Sequence, residues 1–126
     1  MKKKIISLCI GALLLQGCGK ELQSRYATHR YTECGALYEV TAQNFKNSVK
    51  SAINNSSEIM YVAGRKSAES AYPKEEANQI FKKEKEKQLK LVREIYAKED
   101  SAALKAYGER CDELGEKLVN AVKKKN

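Results

Sequence analysis

Apolar positions between residues 32 and 63 return at intervals of three and four. The series runs Cys34, Tyr38, Thr41, Phe45, Val49, Ala52 and Ile53, pauses at the polar group Asn54, Asn55, Ser56 and Ser57, and resumes through Ile59, Met60, Val62 and Ala63. This spacing draws one stripe along a helix of 3.6 residues per turn. Thr32 carries a hydroxyl suited to an N-cap, so the helix is expected to start there. The polar group reads either as a kink or as a true break. Tyr72 and Pro73 predict a turn, because proline disfavours helix in the residue before it and suits the first helical position itself.

Two more stripes follow. One runs Ala77, Ile80, Phe81, Gln88, Leu91, Val92, Ile95 and Tyr96, the other Leu104, Tyr107, Cys111, Leu114, Leu118 and Val122. Asp100 and Ser101 either cap a separate last helix or lie on the surface of one long helix. No strand-like alternation of useful length interrupts these patterns, and the fold expected is all-α. Residues 19 to 31 show no such period and read as a flexible tether, whose thirteen residues reach about 20 Å on a root-mean-square basis.

The start of the chain has a different character. Basic Lys2, Lys3 and Lys4 precede the apolar run Ile5 to Leu15, after which come Gln16, Gly17, Cys18 and Gly19. Basic, apolar, small is the order of an export signal. A membrane-spanning helix needs about 20 apolar residues, which this run does not supply. Leu15, Gln16, Gly17 and Cys18 resemble a lipobox, the site at which bacterial lipoproteins are thioether-linked to diacylglycerol and cut just before the cysteine. The resemblance covers residues 1–18 and implies a signal peptide over 1–17, a lipidated N-terminus and tether over 18–31, and a helical domain over 32–126. It makes the membrane a partner through acyl chains on Cys18. Gly19, standing where an aspartate would resemble an inner-membrane retention signal, implies the outer membrane, facing the periplasm.

Removing 17 of the 126 residues leaves 109, enough for one small domain. The net charge of +8 falls to +5 once Lys2, Lys3 and Lys4 are gone. This mild basic excess suits anionic envelope surfaces rather than nucleic acid. Cys9 leaves with the leader and Cys18 is committed to lipid. An oxidising periplasm then makes Cys34 and Cys111 a disulfide.

The midpoint of positions 34 and 111 falls between Tyr72 and Pro73. An antiparallel helical hairpin turning there sets the two cysteines opposite each other, with Tyr38 opposite Tyr107, Val49 opposite Tyr96 and Ile53 opposite Val92. A bridge needs Cα atoms within about 7 Å, closer than the 8–10 Å between typical packed helices. Gly35, Gly108 and Gly115 near the cysteines permit that approach. The rival arrangement breaks the first arm at Asn54 to Ser57 and the second near Asp100, giving a compact three- or four-helix bundle.

Candidate chemistry is sparse. His29 is the only histidine and lies in the expected tether beside Arg30, away from any matching acid, so neither a Ser/His/Asp nor a Cys/His arrangement is expected. With the cysteines paired, no metal or cofactor site is expected, and no catalytic residues. Gly64, Arg65, Lys66 and Ser67 only superficially suggest a phosphate loop and read as helix surface. Asn54 to Ser56 and Asn55 to Ser57 match glycosylation acceptors and carry no information in a bacterium. The run Lys82, Lys83, Glu84, Lys85, Glu86, Lys87 reads as a solvated helical face, Glu86 and Lys90 having the favourable order. Lys123, Lys124 and Lys125 complement a helix C-terminus or touch lipid phosphates. Arg25, Tyr26, Arg30 and Tyr31 lie on headgroups or serve as a passive spacer.

The function expected is that of a non-catalytic binding or accessory lipoprotein of the cell envelope, docking on another envelope protein. Two alternatives stand beside it: a phage- or plasmid-borne exclusion or immunity lipoprotein, and a periplasmic holdase chaperone.

Overall fold

A computed structural model of the protein describes the backbone over residues 15–125 and the side chains over 19–121 and at 123. The described residues form helices α1 (Leu15–Ala42), α2 (Asn47–Glu69), α3 (Lys74–Ala97) and α4 (Ser101–Lys125), without strands. The signal peptide expected over 1–17 lies mostly outside the described residues. The backbone of Cys18 belongs to α1, and its side chain is outside them.

Helix α1 corrects the expected tether. Residues 19–31 are helical, and Thr32 is interior rather than a cap. What holds this part of α1 is a stripe of small hydroxyl residues, Ser24, Thr28 and Thr32, all buried. Thr28 Oγ1 donates to the Ser24 carbonyl and Thr32 Oγ1 to that of Thr28, both at 2.7 Å. Ser24 Oγ donates across to the Ser67 carbonyl of α2 at 2.5 Å. Such side chains satisfy their hydroxyls on the backbone and leave little bulk between two helices, so α1 and α2 pack closely.

The first arm breaks at residues 43–46, not at Asn54 to Ser57. Asn47 takes a φ of 59°, a left-handed conformation that asparagine tolerates better than most residues. The expected break lies inside α2, where Ser57 Oγ donates to the Gly35 carbonyl at 2.7 Å and Ser56 Oγ to that of Ala52 at 3.3 Å. The turn at Tyr72 and Pro73 stands as expected, and Glu75 and Glu76 complement the dipole at the start of α3. The second arm breaks at 98–100. Asp100 Oδ1 accepts the Ala103 N–H at 3.0 Å and so caps α4.

The register follows from paired atoms. Ser24 bonds to residue 67 and Thr28 to residue 64, so α2 runs antiparallel to α1. His29 meets Glu84 and Thr41 meets Tyr96, in both cases 55 positions apart, so α3 runs parallel to α1. The molecule is therefore the small bundle rather than the long hairpin. Tyr96 lies against Thr41 instead of Val49, and Val49 is exposed. The core occupies the end of α1 remote from Cys18: Cys34, Ala36, Leu37, Val40, Met60, Val92 and Cys111, flanked by Tyr31, Tyr38, Leu89, Tyr96, Leu104, Tyr107 and Leu114. Cys34 and Cys111 form a disulfide with Cα atoms 5.4 Å apart. It ties α4 to α1, and closing so long a loop contributes roughly 4.5 kcal/mol in the chain-entropy model.

Candidate binding surfaces

Small residues along α1 and α2 bring those helices together and leave α3 and α4 to flank them, with clefts between the helices among the described residues. The first, of about 380 Å³, lies between α1 and α3 and includes Arg25, Glu76, Lys83, Glu84 and Lys87. Beside it His29, expected to lie far from any acid, is held by two. Its Nδ1 is 2.6 Å from Glu84 Oε1 and its Nε2 is 3.6 Å from Glu33 Oε2. The offset of 55 positions between α1 and α3 supplies Glu84, which no local spacing announces. Gln88 is buried beneath, with Nε2 3.4 Å from Glu84 Oε1 and Oε1 unpartnered.

Glu33 also meets two guanidinium groups, with Arg110 Nε at 3.4 Å and Arg30 Nη1 at 4.0 Å. Arg30 also donates to the Arg110 carbonyl at 3.4 Å. These contacts run beside the disulfide and fasten α4 at the same point. The hydrogen-bond partners of the imidazole are a carboxylate and an amide. Among the described residues, no three of His, Cys, Asp and Glu converge as metal ligands.

The second cleft, of about 660 Å³, lies between α2 and α3 and is strongly basic. Arg65, Lys74, Lys82 and Lys85 line it with Phe81, and Glu69 is its only acid. Arg65 stacks 4.9 Å from the centre of the Phe81 ring, and Lys85 Nζ stands 4.4 Å from that of Tyr61. Cation–π attraction of this kind holds each charge over a buried aromatic and restricts its rotamers. Tyr61 meets Phe81 edge to face at 6.0 Å. It fits because Gly35 has no Cβ: one built there would lie 2.5 Å from the Tyr61 ring. Burial raises the Tyr61 phenol far above the usual tyrosine range, with the Glu39 charge acting in the same direction.

A third cleft, of about 200 Å³, is apolar and lies between α2 and α4. Tyr38, Ile59, Met60, Leu118 and Val119 line it, and Ile59 and Val119 are each more than half exposed.

The charged run expected as one solvated face divides between clefts. Lys82 and Lys85 turn toward α2, whereas Lys83, Glu84 and Lys87 turn toward α1. Gly64, expected on the surface, is buried: a Cβ there would lie 3.3 to 3.4 Å from Tyr31, Phe81 and Thr32. The four residues Arg25, Tyr26, Arg30 and Tyr31 do not act as a unit. Arg25 donates to Tyr72 Oη at 3.1 Å, Tyr26 is exposed, Arg30 serves the Glu33 cluster and Tyr31 flanks the core. Lys123 is exposed, and the side chains of Lys124 and Lys125 lie outside the described residues.

No helix among the described residues is long and apolar enough to cross a membrane. Comparison with family models, with curated proteins and with solved structures finds no match.

Proposed function

We propose that the chain is an exported bacterial lipoprotein, held by acyl chains on Cys18 to the periplasmic face of the outer membrane, where it acts as a non-catalytic binding or accessory protein of the envelope. The observation that carries this reading is the sequence Leu15, Gln16, Gly17, Cys18 at the end of an apolar run that follows three lysines. Each buried methylene contributes about 0.8 kcal/mol, so two or more acyl chains make attachment effectively permanent. The Cys34–Cys111 bridge supports the same address, because disulfides persist in an oxidising compartment. Open clefts between helices offer binding surfaces for a partner protein.

Mass spectrometry of the protein purified from its host envelope tests the anchor. The expected N-terminal peptide starts at Cys18 and carries a diacylglyceryl group, and Cys18→Ser moves the protein out of the membrane fraction. An intact leader, or an unmodified Cys18, overturns the reading. Crosslinking at neutral pH followed by recovery of the protein is expected to capture one envelope protein in preference to others.

A further inference from the structure

The cations of the α2–α3 cleft outnumber its acids, Glu69 alone standing among Arg65, Lys74, Lys82 and Lys85. Arg65, Lys74, Lys82 and Lys85 make no ion pair within 4.0 Å among the described residues. The α1–α3 cleft differs, because Glu76 and Glu84 stand among its lysines. Like charges lining one cleft repel one another, and an anion received between them relieves that repulsion. Two of the four are already positioned, Arg65 on Phe81 and Lys85 on Tyr61, so an anion meets a partly ordered set of donors.

We propose that this cleft binds the phosphate group of an anionic phospholipid headgroup. Arginine and lysine supply the charge-assisted donors that a phosphate needs. The volume of about 660 Å³ exceeds what a bare phosphate fills.

Position argues for lipid as the source of the phosphate, and this choice rests on the anchoring at Cys18 proposed above. In the register of the bundle, Lys74 is level with Gly19, Arg65 and Lys82 with Ala27, and Lys85 with Arg30. At a rise of 1.5 Å per residue, Lys74 stands beside the anchor and the other three lie roughly 14–18 Å farther along α1. A headgroup layer is only about 5–8 Å deep. The cleft therefore reaches lipid when the bundle lies with its α2–α3 face on the membrane, held by the acyl chains at one point and by the cleft at another.

The test uses the full chain in neutral detergent. Asn78, in the cleft, is replaced by tryptophan as reporter, since the sequence contains none. The probes are dihexanoyl phosphatidylglycerol, dihexanoyl phosphatidylcholine and inorganic phosphate. Phosphatidylglycerol is expected to shift the emission, with the other two binding at least about tenfold more weakly. Replacing Arg65, Lys82 and Lys85 by glutamine is expected to weaken phosphatidylglycerol on the order of a hundredfold, each basic group near a surface being worth about fivefold. The variant Lys82→Arg with Lys85→Arg is expected to retain the affinity, which separates lost charge from lost fold.

Equal response to phosphatidylcholine, or a triple variant that binds as well as its parent, overturns the cleft. Inorganic phosphate binding as tightly as phosphatidylglycerol overturns the lipid and leaves a free phosphate site. The soluble probes do not require acylation of Cys18, so the two readings fail separately. Cleft-dependent binding with an unmodified Cys18 removes the anchor alone, and an acylated Cys18 without such binding removes the cleft alone.

Discussion

Tyr61 sits where Gly35 leaves room for its ring, with the edge-to-face Phe81 contact on one side and Lys85 over its face. Its hydroxyl is sealed from water without a hydrogen bond: Glu39 and Ser57 are close enough to influence its ionisation, yet neither meets the geometry. Tyr61→Phe removes only that hydroxyl, keeping the ring burial and the cation–π contact. An unsatisfied buried donor costs about 1–3 kcal/mol. The variant is therefore expected to match the parent in urea unfolding or to exceed it by about 1 kcal/mol, and a loss of that size would mean that the hydroxyl is bonded after all. The sequence pattern located this face of α2 only in part. Of the expected stripe Met60 is buried but Ile59 and Val62 are exposed, and Met60 shares the buried face with Ser57, Tyr61, Gly64 and Ala68. A period counted on aliphatic side chains does not register a contact built from glycine, alanine and serine around one ring.

The same effect operates along α1. Ser24, Thr28 and Thr32 have helical spacing, but hydroxyl residues read as polar, and so the segment 19–31 presents itself as a tether. The helices bearing larger side chains are legible. The turn at Tyr72 and Pro73, the cap at Asp100 and the Cys34–Cys111 pair are all visible in the sequence, because proline, a capping carboxylate and a cysteine pair each act through strong local or covalent constraints. Their assembly is less legible: the break at residues 43–46 turns on Asn47 adopting a left-handed conformation, one of several asparagines able to do so. Helix α4 depends most on the disulfide, since it meets the bundle through Leu104, Tyr107, Cys111 and Leu114 while much of its surface faces solvent. Replacing both cysteines by alanine is expected to destabilise the protein by up to about 4.5 kcal/mol. Hydrogen exchange read by mass spectrometry should show α4 losing protection well before α1 and α2. Uniform loss across all four helices would show that the bridge acts on the whole bundle rather than on one element.

At the scale of the molecule, topology assembles what the sequence disperses. Lys82 and Lys85 stand in a visible run, but Arg65 reaches them from α2 and Lys74 from the first turn of α3, and His29 acquires Glu84 across 55 positions. Charge is distributed over clefts, while the remote end is held by apolar and aromatic packing. Three tyrosines on different helices share in that packing and carry raised pKa values. Burial is the first cause for Tyr61 in α2, for Tyr38 in α1 and for Tyr107 in α4, with Glu39, Asp112 and Glu33 respectively adding to it. A phenol whose pKa is higher folded than unfolded binds its proton more tightly in the native state. The stability linked to that proton is complete below the unfolded value of about 10 and is lost as pH rises through the folded values. Unfolding by urea, which leaves charges unscreened, is therefore expected to show a constant midpoint between about pH 8 and pH 9.5 and a steep fall above about pH 10. Tyr61→Phe should flatten that fall, because the most strongly perturbed of the three phenols no longer titrates. An alkaline limb equally steep in the variant would place the loss in Tyr38 and Tyr107, at the contacts of α1 and α4 around the disulfide, and not in the ring that packs against Gly35.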